Sequence, residues 1–385
     1  MKTYLVGGAV RDIIMGIDPK DRDYVVVGAT QQEMLSLGYK KVGADFPVFL
    51  HPDTGEEYAL ARREKKVGTG YQGFKTDFSP DVTLDEDLAR RDLTINSMAM
   101  DADGFIIDPY GGQMDIEARV FRHTSEAFVE DPLRVLRVAR FVARYPHFDI
   151  HPSTLKLMTE ISDSGELDSL TPERVFKEMM KAMEEIKPHY FFQTLLRANA
   201  LLRVFPFMED SDILHALFSL SQCSENTKDP YRRAVSFLAS LACDFSEILN
   251  QLRPPSVLMN DIGLTRELHN IIHLIHYRKP QFVYQCIQKI CTSSKDSGEV
   301  AFDALLAITG GSIEMRSNIN ILKSCVTAYQ LAQYEPEWNS QESSMRGVLM
   351  RAKQQDAVCD VLRRTRVSNS DIASFPLPGA NNHEH

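Results

Sequence analysis

The sequence lacks any apolar run approaching the roughly 20 residues that a membrane-spanning helix requires. Its N-terminus, from Met1 to Gly8, does not have the shape of a signal peptide, because charge and glycine interrupt the apolar stretch at once. We therefore expect a cytoplasmic protein that does not contact a membrane.

Cysteine is scarce, and its spacing argues against the common cysteine-based sites. The chain has six cysteines among 385 residues, and no two of them form a CxxC pair. All lie in the second half of the chain, at Cys223, Cys243, Cys286, Cys291, Cys325 and Cys359. This scatter is typical of reduced thiols packed between helices, which we favour over a disulfide framework or a zinc site.

Positive charge is in deficit over the whole chain. There are 43 lysines and arginines against 53 aspartates and glutamates, which gives a formal net charge of −10. A nucleic-acid partner is not excluded, because phosphate binding depends on where cations cluster more than on their sum.

The composition and length indicate a globular protein of several domains. Hydrophobic residues make up 43% of the chain and charged residues 25%, and a chain of this length suggests roughly two to four units. Strand and helix patterns alternate at first and only helices follow. We predict an α+β fold, with a small mixed or antiparallel sheet in an N-terminal head and an all-α remainder. The predicted division is a head over 1–120, a helical neck over 121–190, a helical body and tail over 191–370, and a disordered segment over 371–385.

Local patterns predict individual elements. Apolar and β-branched runs indicate strands over 4–6, 24–27, 48–50 and 58–61, and a hairpin over 95–107 that turns at Asp103-Gly104. Periodicity indicates helices over 9–15, 30–37, 130–145, 154–161 and 172–183, of which the second, fourth and fifth have Thr30, Ser153 and Thr171 as N-caps. Later helices are separated by breaks at 224–230, 253–255, 292–298 and 310–311.

A glycine turn follows the first strand. Gly7 and Gly8 lead into a helix that carries Arg11 and Asp12. Backbone amides at such a turn, together with a fixed cation, can bind a phosphate. Taken alone, however, an ordinary strand-to-helix turn is the commoner meaning of this pattern.

Two acids stand at the start of the second strand. Asp21 and Asp23 are two residues apart and precede the run 24–27. If both belong to the strand, their carboxylates project in the same direction. Two such charges are costly unless a cation lies between them, and hard oxygen ligands suit Mg²⁺. A pair of solvated acids is the alternative, which the preceding glycine turn disfavours.

A third motif occupies residues 90–99. Arg90 and Arg91 end an acidic helix, and Asp92 and Asn96 follow. Cations at a helix C-terminus are favourable by themselves, whereas this density of hydrogen-bonding groups also suits a triphosphate and a ribose. The sequence does not decide between these two interpretations.

A stripe of arginines occupies the predicted helix 130–145. Arg134, Arg137, Arg140 and Arg144 recur every three or four residues, and the other faces of the helix are apolar. A helix packed through its apolar faces would direct the stripe into a groove, where guanidinium groups can pair with a base edge or a phosphate.

Together and in this order, these segments resemble the class II tRNA nucleotidyltransferases, a branch of the polymerase-β-like superfamily. The shared motifs are Gly-Gly-x-Val-Arg-Asp, the Asp21/Asp23 pair, Arg-Arg-Asp-x-Thr-x-Asn, Glu-Asp-x-x-Arg and Thr-Pro-Glu-Arg. The match covers roughly residues 1–180, and the later helices resemble the family only in character.

The resemblance implies a role for each motif residue. Asp21 and Asp23 would be the catalytic residues and would hold Mg²⁺, and Asp131 and Arg134 would read the base edge. Residues 171–174 would brace the base-reading helix, and the loop 67–74 would help to switch specificity from C to A. The residues implied to contact ATP or CTP are Gly8, Arg11, Arg91, Asp92, Asp131, Arg134, Arg137 and Arg140.

The implied activity is template-independent addition and repair of the 3′-terminal CCA of tRNA, using CTP and ATP and releasing pyrophosphate. The acceptor stem and elbow of tRNA would lie along the helical parts, and no protein partner is implied. Poly(A) polymerases share the head motifs, and specialists that add only CC or only A belong to the same family. A catalytically inactive RNA-binding protein is the alternative of another class, against which the intact acids and arginines argue.

Two features of the family are not found by sequence alone. Related enzymes use a third carboxylate, for which Glu56 and Glu57 are candidates that the sequence does not separate. Longer bacterial relatives carry a metal-dependent phosphohydrolase domain with a His-Asp pair, and this chain contains no His-Asp dipeptide. We therefore expect a short form without phosphohydrolase activity, and we expect His269, His273 and His276 to be helix-packing residues.

Overall fold

A computed structural model describes residues 1–42, 48–66, 74–272, 275, 280–293, 296–332 and 343–373. The chain forms two compact units. The first consists of Met1–Phe207 with Asn250–Arg253, and the second of Met208–Leu249 with Pro254–His385. The boundary near Phe207 does not separate a neck from a head, so that part of the predicted division stays a prediction.

The first unit is built on a seven-stranded mixed sheet. The strands of this unit are β1 (Lys2–Val6), β2 (Asp23–Val27), β3 (Lys40–Val42), β4 (Val48–Leu50), β5 (Glu57–Leu60), β6 (Arg63–Lys66), β7 (Phe74–Asp77), β8 (Ala99–Met100), β9 (Ile106–Ile107), β10 (Val120–Phe121) and β11 (Asp149–Ile150). In the seven-stranded sheet they lie in the order β3-β4-β5-β2-β1-β8-β9, and every neighbouring pair is antiparallel except β2 and β5. Two short two-stranded sheets pair β6 with β7 and β10 with β11. The predicted α+β class is confirmed.

Both faces of the sheet are covered. Val25 packs in a cluster with Val6 and Leu88, whereas the next residue, Val26, packs in a second cluster with Phe49 and Leu60. Successive strand residues face opposite sides, so a continuous apolar run is what a sheet buried on both faces requires.

The predicted hairpin is confirmed in β8 and β9, but its first strand does not begin at Ile95. Residues Thr94–Asn96 form a 3-10 helix instead. Two of their polar side chains bond to acids outside the segment: Thr94 Oγ1 donates to Asp115, and Asn96 Nδ2 donates to Asp92. Periodicity alone does not reveal these bonds.

Nine α-helices complete the first unit. They are α1 (Gly8–Ile14), α2 (Gln31–Ser36), α3 (Leu84–Ala89), α4 (Gly112–Glu117), α5 (Leu133–Arg144), α6 (Pro152–Ser164), α7 (Pro172–Glu184), α8 (His189–Arg197) and α9 (Leu201–Val204), as far as the described residues show. Thr30 caps α2 in a reciprocal capping box with Glu33, as predicted. Thr171 occupies the N-cap position of α7 without a side-chain capping bond.

Two predicted helix starts were wrong. Asp131 is extended because the following Pro132 disfavours helical geometry. The predicted helix 130–145 therefore divides into a 3-10 segment, Glu126–Glu130, and α5. The N-cap of α6 is His151, whose ring accepts from the Ser153 amide, because Pro152 takes the first helical position.

The second unit is helical throughout its described residues, as predicted. Its helices are α10 (Asp210–Asn226), α11 (Pro230–Ala239), α12 (Phe245–Leu252), α13 (Ser256–Ile272), α14 (Pro280–Thr292), α15 (Ser297–Ile308), α16 (Ile313–Leu331) and α17 (Ser343–Ala373), and the last three residues of α12 belong to the first unit. The predicted breaks fall at the junctions between these helices, and the breaks predicted at 224–230 and 292–298 are wider than the gaps observed between the helices. All six cysteines are free thiols, and no described helix is long and apolar enough to cross a membrane.

The C-terminal prediction is partly corrected. Helix α17 extends to Ala373, so the first residues of the segment predicted to be disordered are helical. Residues 374–385 lie outside the described residues, as do His273 and His276, while His269 is half-buried on α13.

Candidate active site

A cavity of about 580 Å³ lies in the first unit. Helices α1, α5 and α7, strands β2 and β7 and the segment 90–92 that follows α3 contribute to its wall. Its lining includes four carboxylates and nine arginines, in a chain whose formal charge is −10. The cations of this acidic protein are therefore concentrated where an anion would bind. The arginines are Arg11, Arg62, Arg90, Arg91, Arg134, Arg137, Arg140, Arg144 and Arg174.

The glycine turn forms one edge of the cavity. Gly7 has φ 71° and ψ −131°, a conformation that L side chains rarely adopt, and Gly8 begins α1. A Cβ on Gly7 would lie 2.9 Å from Nη1 of Arg91. Glycine at position 7 thus permits both the turn and the close approach of the Arg91 guanidinium.

Asp23 lies beside this turn. It pairs with Val6 in the antiparallel ladder of β1 and β2, and Val6 directly precedes Gly7. Asp23 has an exposed surface, but partial burial raises the pKa of its carboxyl group; the Arg91 charge lowers that pKa and the Asp21 charge raises it. The second strand therefore carries one of the two predicted acids to the cavity edge.

Asp21 does not belong to the strand, so the prediction that alternation orients both acids was wrong. The ladder ends at the pair Val6–Asp23 because β1 gives way to the glycine turn there. Asp21 is exposed, precedes β2 by two residues and does not line the cavity. The charge of Asp21 nevertheless raises the pKa of Asp23. The bend at Asp21 therefore leaves the two carboxylates close to each other.

The sequence alone does not distinguish Glu57 from Glu56 as the candidate third carboxylate. It lies opposite Asp23 in the parallel register of β2 and β5, so the two side chains share a face of the sheet. Glu56 instead accepts from Thr54 Oγ1 at 2.9 Å. The choice required knowledge of which strand lies next to β2.

The two neighbouring acids fit a divalent cation. Like charge and burial both disfavour the ionised form of Asp23, and a cation would offset both effects. Among the described residues, no three His, Cys, Asp or Glu side chains converge as a metal site. An ion held here would thus take further ligands from substrate phosphates or water, as Mg²⁺ commonly does.

Asp92 links the segment after α3 to α5. The residue is 6% exposed, and its carboxylate accepts from the Leu93 amide at 2.9 Å, from Asn96 Nδ2 at 3.1 Å and from Arg137 Nε at 2.8 Å. Burial alone would raise the pKa of Asp92, but the Arg137 charge and these hydrogen bonds lower it well below its usual value. Asp92 and Arg137 therefore remain a charged pair in the cavity wall.

Arg11 is also brought to the cavity wall. Its side chain is buried, and it donates to Asn96 Oδ1 at 2.7 Å and to Asp12 Oδ1 at 2.7 and 2.9 Å. The guanidinium carbon lies 5.5 and 5.4 Å from the ring centres of Phe141 and Tyr145. Arg11 therefore joins α1 to α5 as well as facing the cavity.

The arginine stripe on α5 lies along the cavity. Arg134, Arg137, Arg140 and Arg144 all line it, and the apolar faces of α5 are buried. Arg134 donates to the carbonyl groups of Ala127 and Arg90. The stripe is held in place by bonds that periodicity does not show.

Helix α7 braces the start of α5. Arg174 Nη2 donates to both oxygens of Asp131, at 3.1 and 3.0 Å, and Asp131 Oδ1 accepts from the Leu133 amide. Farther along α7, the buried Glu178 accepts from Arg140 Nε at 2.8 Å. The bracing role of residues 171–174 was predicted, whereas Glu178 was not; its position four residues after Arg174, on the same helical face, was the available signal.

The proposed switch loop 67–74 lies outside the described residues except for Phe74. The strands on either side of it, β6 and β7, pair antiparallel with Arg63 opposite Asp77. Thr76 on β7 lines the cavity.

Two family models match the chain. Residues 3–122 match the Poly A polymerase head domain, and residues 147–211 match the probable RNA and SrmB-binding site of polymerase A. The first match lies within the unit that holds the cavity, and the second extends past the end of that unit at Phe207.

Known proteins resemble the chain over a longer stretch. It is 57% identical over 224 residues to the Multifunctional CCA protein of Hahella chejuensis, a match that covers 58% of this chain and 52% of that relative, about half its length. It is 44% identical over 333 residues to the Multifunctional CCA protein of Mannheimia succiniciproducens, which covers 75% of this chain and 79% of that relative.

A solved structure shares the fold. The Thermotoga maritima CCA-adding enzyme complexed with tRNA superposes with a TM-score of 0.68 at 22% identity, covering 96% of this chain and 91% of that one. With the motifs joined around one cavity and with these relatives, the chain belongs to the class II CCA-adding tRNA nucleotidyltransferases.

Proposed function

We propose that this protein adds and repairs the 3′-terminal CCA of tRNA without a template, using CTP and ATP and releasing pyrophosphate. The observation that carries the proposal is the ladder that sets Asp23 beside the Gly7-Gly8 turn, at the edge of an arginine-lined cavity. A carboxylate that can hold a cation thus adjoins a site suited to a triphosphate. A protein that only bound RNA would have no need of that acid.

The 3′-hydroxyl of tRNA attacks the α-phosphorus of the bound nucleotide, and the pyrophosphate leaves in line with it. Gly8, Arg11, Arg91, Arg137 and Arg140 are the proposed contacts of the nucleotide, and Asp92 fixes Arg137 for this task. Transfer of a phosphoryl group depends mainly on such positioning and on stabilisation of charge.

Mg²⁺ is the proposed cation, with Asp21 and Asp23 as its protein ligands, and Glu57 lies on the same face of the sheet as Asp23. When bound, the ion would lower the pKa of the attacking hydroxyl and stabilise charge on the leaving oxygens. The exposed edge at Asp23 supports this assignment, because substrate phosphates could approach the same ion.

Base choice is proposed to rest on Asp131 and Arg134. Both line the cavity at the start of α5, and Arg174 holds the Asp131 carboxylate in one orientation. A carboxylate and a guanidinium can present acceptors and donors to a base edge in a Watson–Crick-like manner. Two fixed side chains would then replace a template.

The proposed partner is the acceptor stem and elbow of tRNA, bound along the helices that follow α5, with the neck over 121–190 and the body and tail over 191–370. An A-form helix is recognised mainly through its shape, backbone and 2′-hydroxyl groups. The six free thiols agree with action in the reducing cytoplasm.

One assay tests the proposed activity. The protein is incubated with Mg²⁺ and a tRNA that lacks its 3′ end, with CTP alone, ATP alone or both, and the products are sequenced. We expect CC with CTP alone and CCA with both nucleotides. The control is the Asp23→Asn variant, which should fold and add no nucleotide.

The other outcomes identify the alternatives. A long A tail would indicate a poly(A) polymerase, an activity that the family match to residues 3–122 keeps as the second candidate. Addition of only CC or only A would indicate a specialist. No addition together with RNA binding would indicate an inactive binding protein, and it would refute the proposal.

A further inference from the structure

Asp87 is a buried acid that no proposed step uses. Helix α3 carries three consecutive acids, Asp85, Glu86 and Asp87, of which only Asp87 is fully buried, with 0% exposure. Its neighbours have ordinary surface roles: Glu86 completes the capping box with Thr83, and Asp85 is exposed. A fully buried carboxylate is tolerated in a folded protein only when charged or polar partners surround it.

The partners of Asp87 all belong to the cavity wall. Its Oδ1 accepts from Arg90 Nη2 at 2.9 Å, from Arg90 Nε at 3.1 Å and from the Arg62 amide at 3.2 Å. Its Oδ2 accepts from Arg91 Nη2 at 3.1 Å. Arg62, Arg90 and Arg91 each line the cavity, so one hidden carboxylate fixes three adjacent parts of its surface.

The guanidinium of Arg91 is the part nearest to the proposed chemistry. Its Nη1 approaches the position that a Cβ on Gly7 would take to 2.9 Å, and its charge lowers the pKa of Asp23. Its Nε is buried and has no hydrogen-bond partner among the described residues. A guanidinium whose Nη2 is held by Asp87 and whose Nη1 lies against the glycine turn is oriented for an anionic ligand.

Charge balance favours the same conclusion. Asp87 makes ion pairs with both Arg90 and Arg91, and one carboxylate cannot neutralise two guanidinium groups. Asp87 therefore orients Arg91 without cancelling the positive charge that a triphosphate would meet.

We propose that Asp87 is a positioning residue for nucleotidyl transfer: it does not touch the substrate, and it holds Arg91 against the Gly7 turn in the orientation that receives the triphosphate. The inference rests on the proposed function, because it assigns a bound triphosphate to this cavity. It predicts that the effect of Asp87 on nucleotide binding passes through Arg91.

A double-mutant cycle tests this dependence. Asp87→Asn, Arg91→Gln and the double variant are compared with the unaltered protein for MgCTP binding by calorimetry and for kcat/KM with CTP. We expect Asp87→Asn to weaken both about 10- to 100-fold, as loss of a supporting partner commonly does, and to cause no further loss when Arg91 is already Gln. Independent losses that multiply in the double variant would overturn the proposal.

Controls separate positioning from a role in folding. Asp85→Asn, on the exposed side of the same helix, should leave both measurements unchanged, and Asp87→Glu should retain more activity than Asp87→Asn. A lower melting temperature for Asp87→Asn with unchanged MgCTP affinity would overturn the proposal. If Asp87→Asn does not fold, the cycle is repeated with Asp87→Glu, which keeps the buried charge but displaces it, and the same dependence on Arg91 is required.

The inference and the proposed function fail in different ways. Addition of CCA by the unaltered protein tests only the function, and MgCTP binding requires no tRNA. If the unaltered protein binds MgCTP but adds nothing to tRNA, the proposed function is refuted. The double-mutant cycle on MgCTP binding then still tests the role of Asp87. If it adds CCA and the cycle shows multiplying losses, only the inference fails.

Discussion

Gly7 combines a backbone requirement with a packing requirement at one residue. Its positive φ strains any L side chain, and its Cβ would meet Arg91 Nη1 at 2.9 Å. We expect Gly7→Ala to cost about 1–3 kcal/mol of stability through the backbone and, in addition, to lower kcat/KM for CTP at least about tenfold by displacing Arg91. Thermal unfolding and initial-rate kinetics measure the two effects.

Gly16 offers a matched control for Gly7. It follows α1, has φ 72° and has no atom within 4 Å of an added Cβ. Gly16→Ala should therefore show the backbone cost without the kinetic effect. Equal losses of kcat/KM in both variants would contradict the role given to the contact with Arg91.

The pair of Asp92 and Arg137 predicts a specific pH dependence of stability. The folded state lowers the pKa of Asp92, so its stabilising contribution is complete above the unfolded pKa of about 3.9 and is lost as pH falls through the lower folded value. Asp92→Asn should cost about 1–3 kcal/mol at neutral pH because it removes a charged hydrogen-bond partner of Arg137, whose side chain keeps 34% of its surface in solvent. The difference from the unaltered protein should shrink only below about pH 4.

Urea unfolding at pH 7, 5 and 3.5 measures this dependence. Asp85→Asn serves as the control, because Asp85 is exposed on α3. A stability difference that already shrinks between pH 7 and pH 5 would show that Asp92 titrates in the ordinary range, and it would contradict the pairing.

At the scale of elements, α5 shows what the sequence can and cannot predict. The spacing of its arginines and apolar residues predicted a helix packed on several faces with a stripe along a groove, and all four stripe arginines line the cavity. The start of the helix was misplaced because Pro132 acts on the preceding residue. The partners Glu178 and Asp92 come from distant segments, so no local period contained them.

Helix α7 gives the element-scale prediction. Arg174 Nη2 donates to both oxygens of Asp131, at 3.1 and 3.0 Å, and a lysine ammonium on its flexible stem would hold that carboxylate less rigidly than the planar guanidinium does. Arg174→Lys should therefore loosen the choice between CTP and ATP, while the melting temperature and KM for tRNA stay unchanged. Incorporation of A in place of C, read by sequencing the products, measures the change.

Arg253 provides the matched control for Arg174. It pairs with Glu173, the residue before Arg174 on α7, and both side chains of this pair are well exposed. Arg253→Lys should leave nucleotide choice intact. An unchanged preference in Arg174→Lys would mean that Asp131 needs no brace.

At the scale of the whole molecule, net charge and local charge point in opposite directions. The net charge of −10 does not by itself indicate a phosphate site, yet nine arginines from separate segments line one cavity. Only the fold brings these segments together. The sequence could identify the motifs, but the preference for Glu57 over Glu56 depends on the register of β2 with β5. The burial of Asp87 likewise depends on how α3 packs.

This distribution predicts two different responses to salt. Under the proposed function the nucleotide would meet arginines that are partly buried in the cavity, such as Arg140, whose side chain is 11% exposed, and buried charges are screened weakly. The tRNA backbone would meet a protein of negative net charge through exposed contacts, and its binding releases counterions. Between about 50 and 200 mM salt, KM for tRNA should rise steeply and KM for CTP should rise much less. Initial rates at constant free Mg²⁺ measure both constants, and an equally steep rise for CTP would show that the cavity charges are solvated like surface charges.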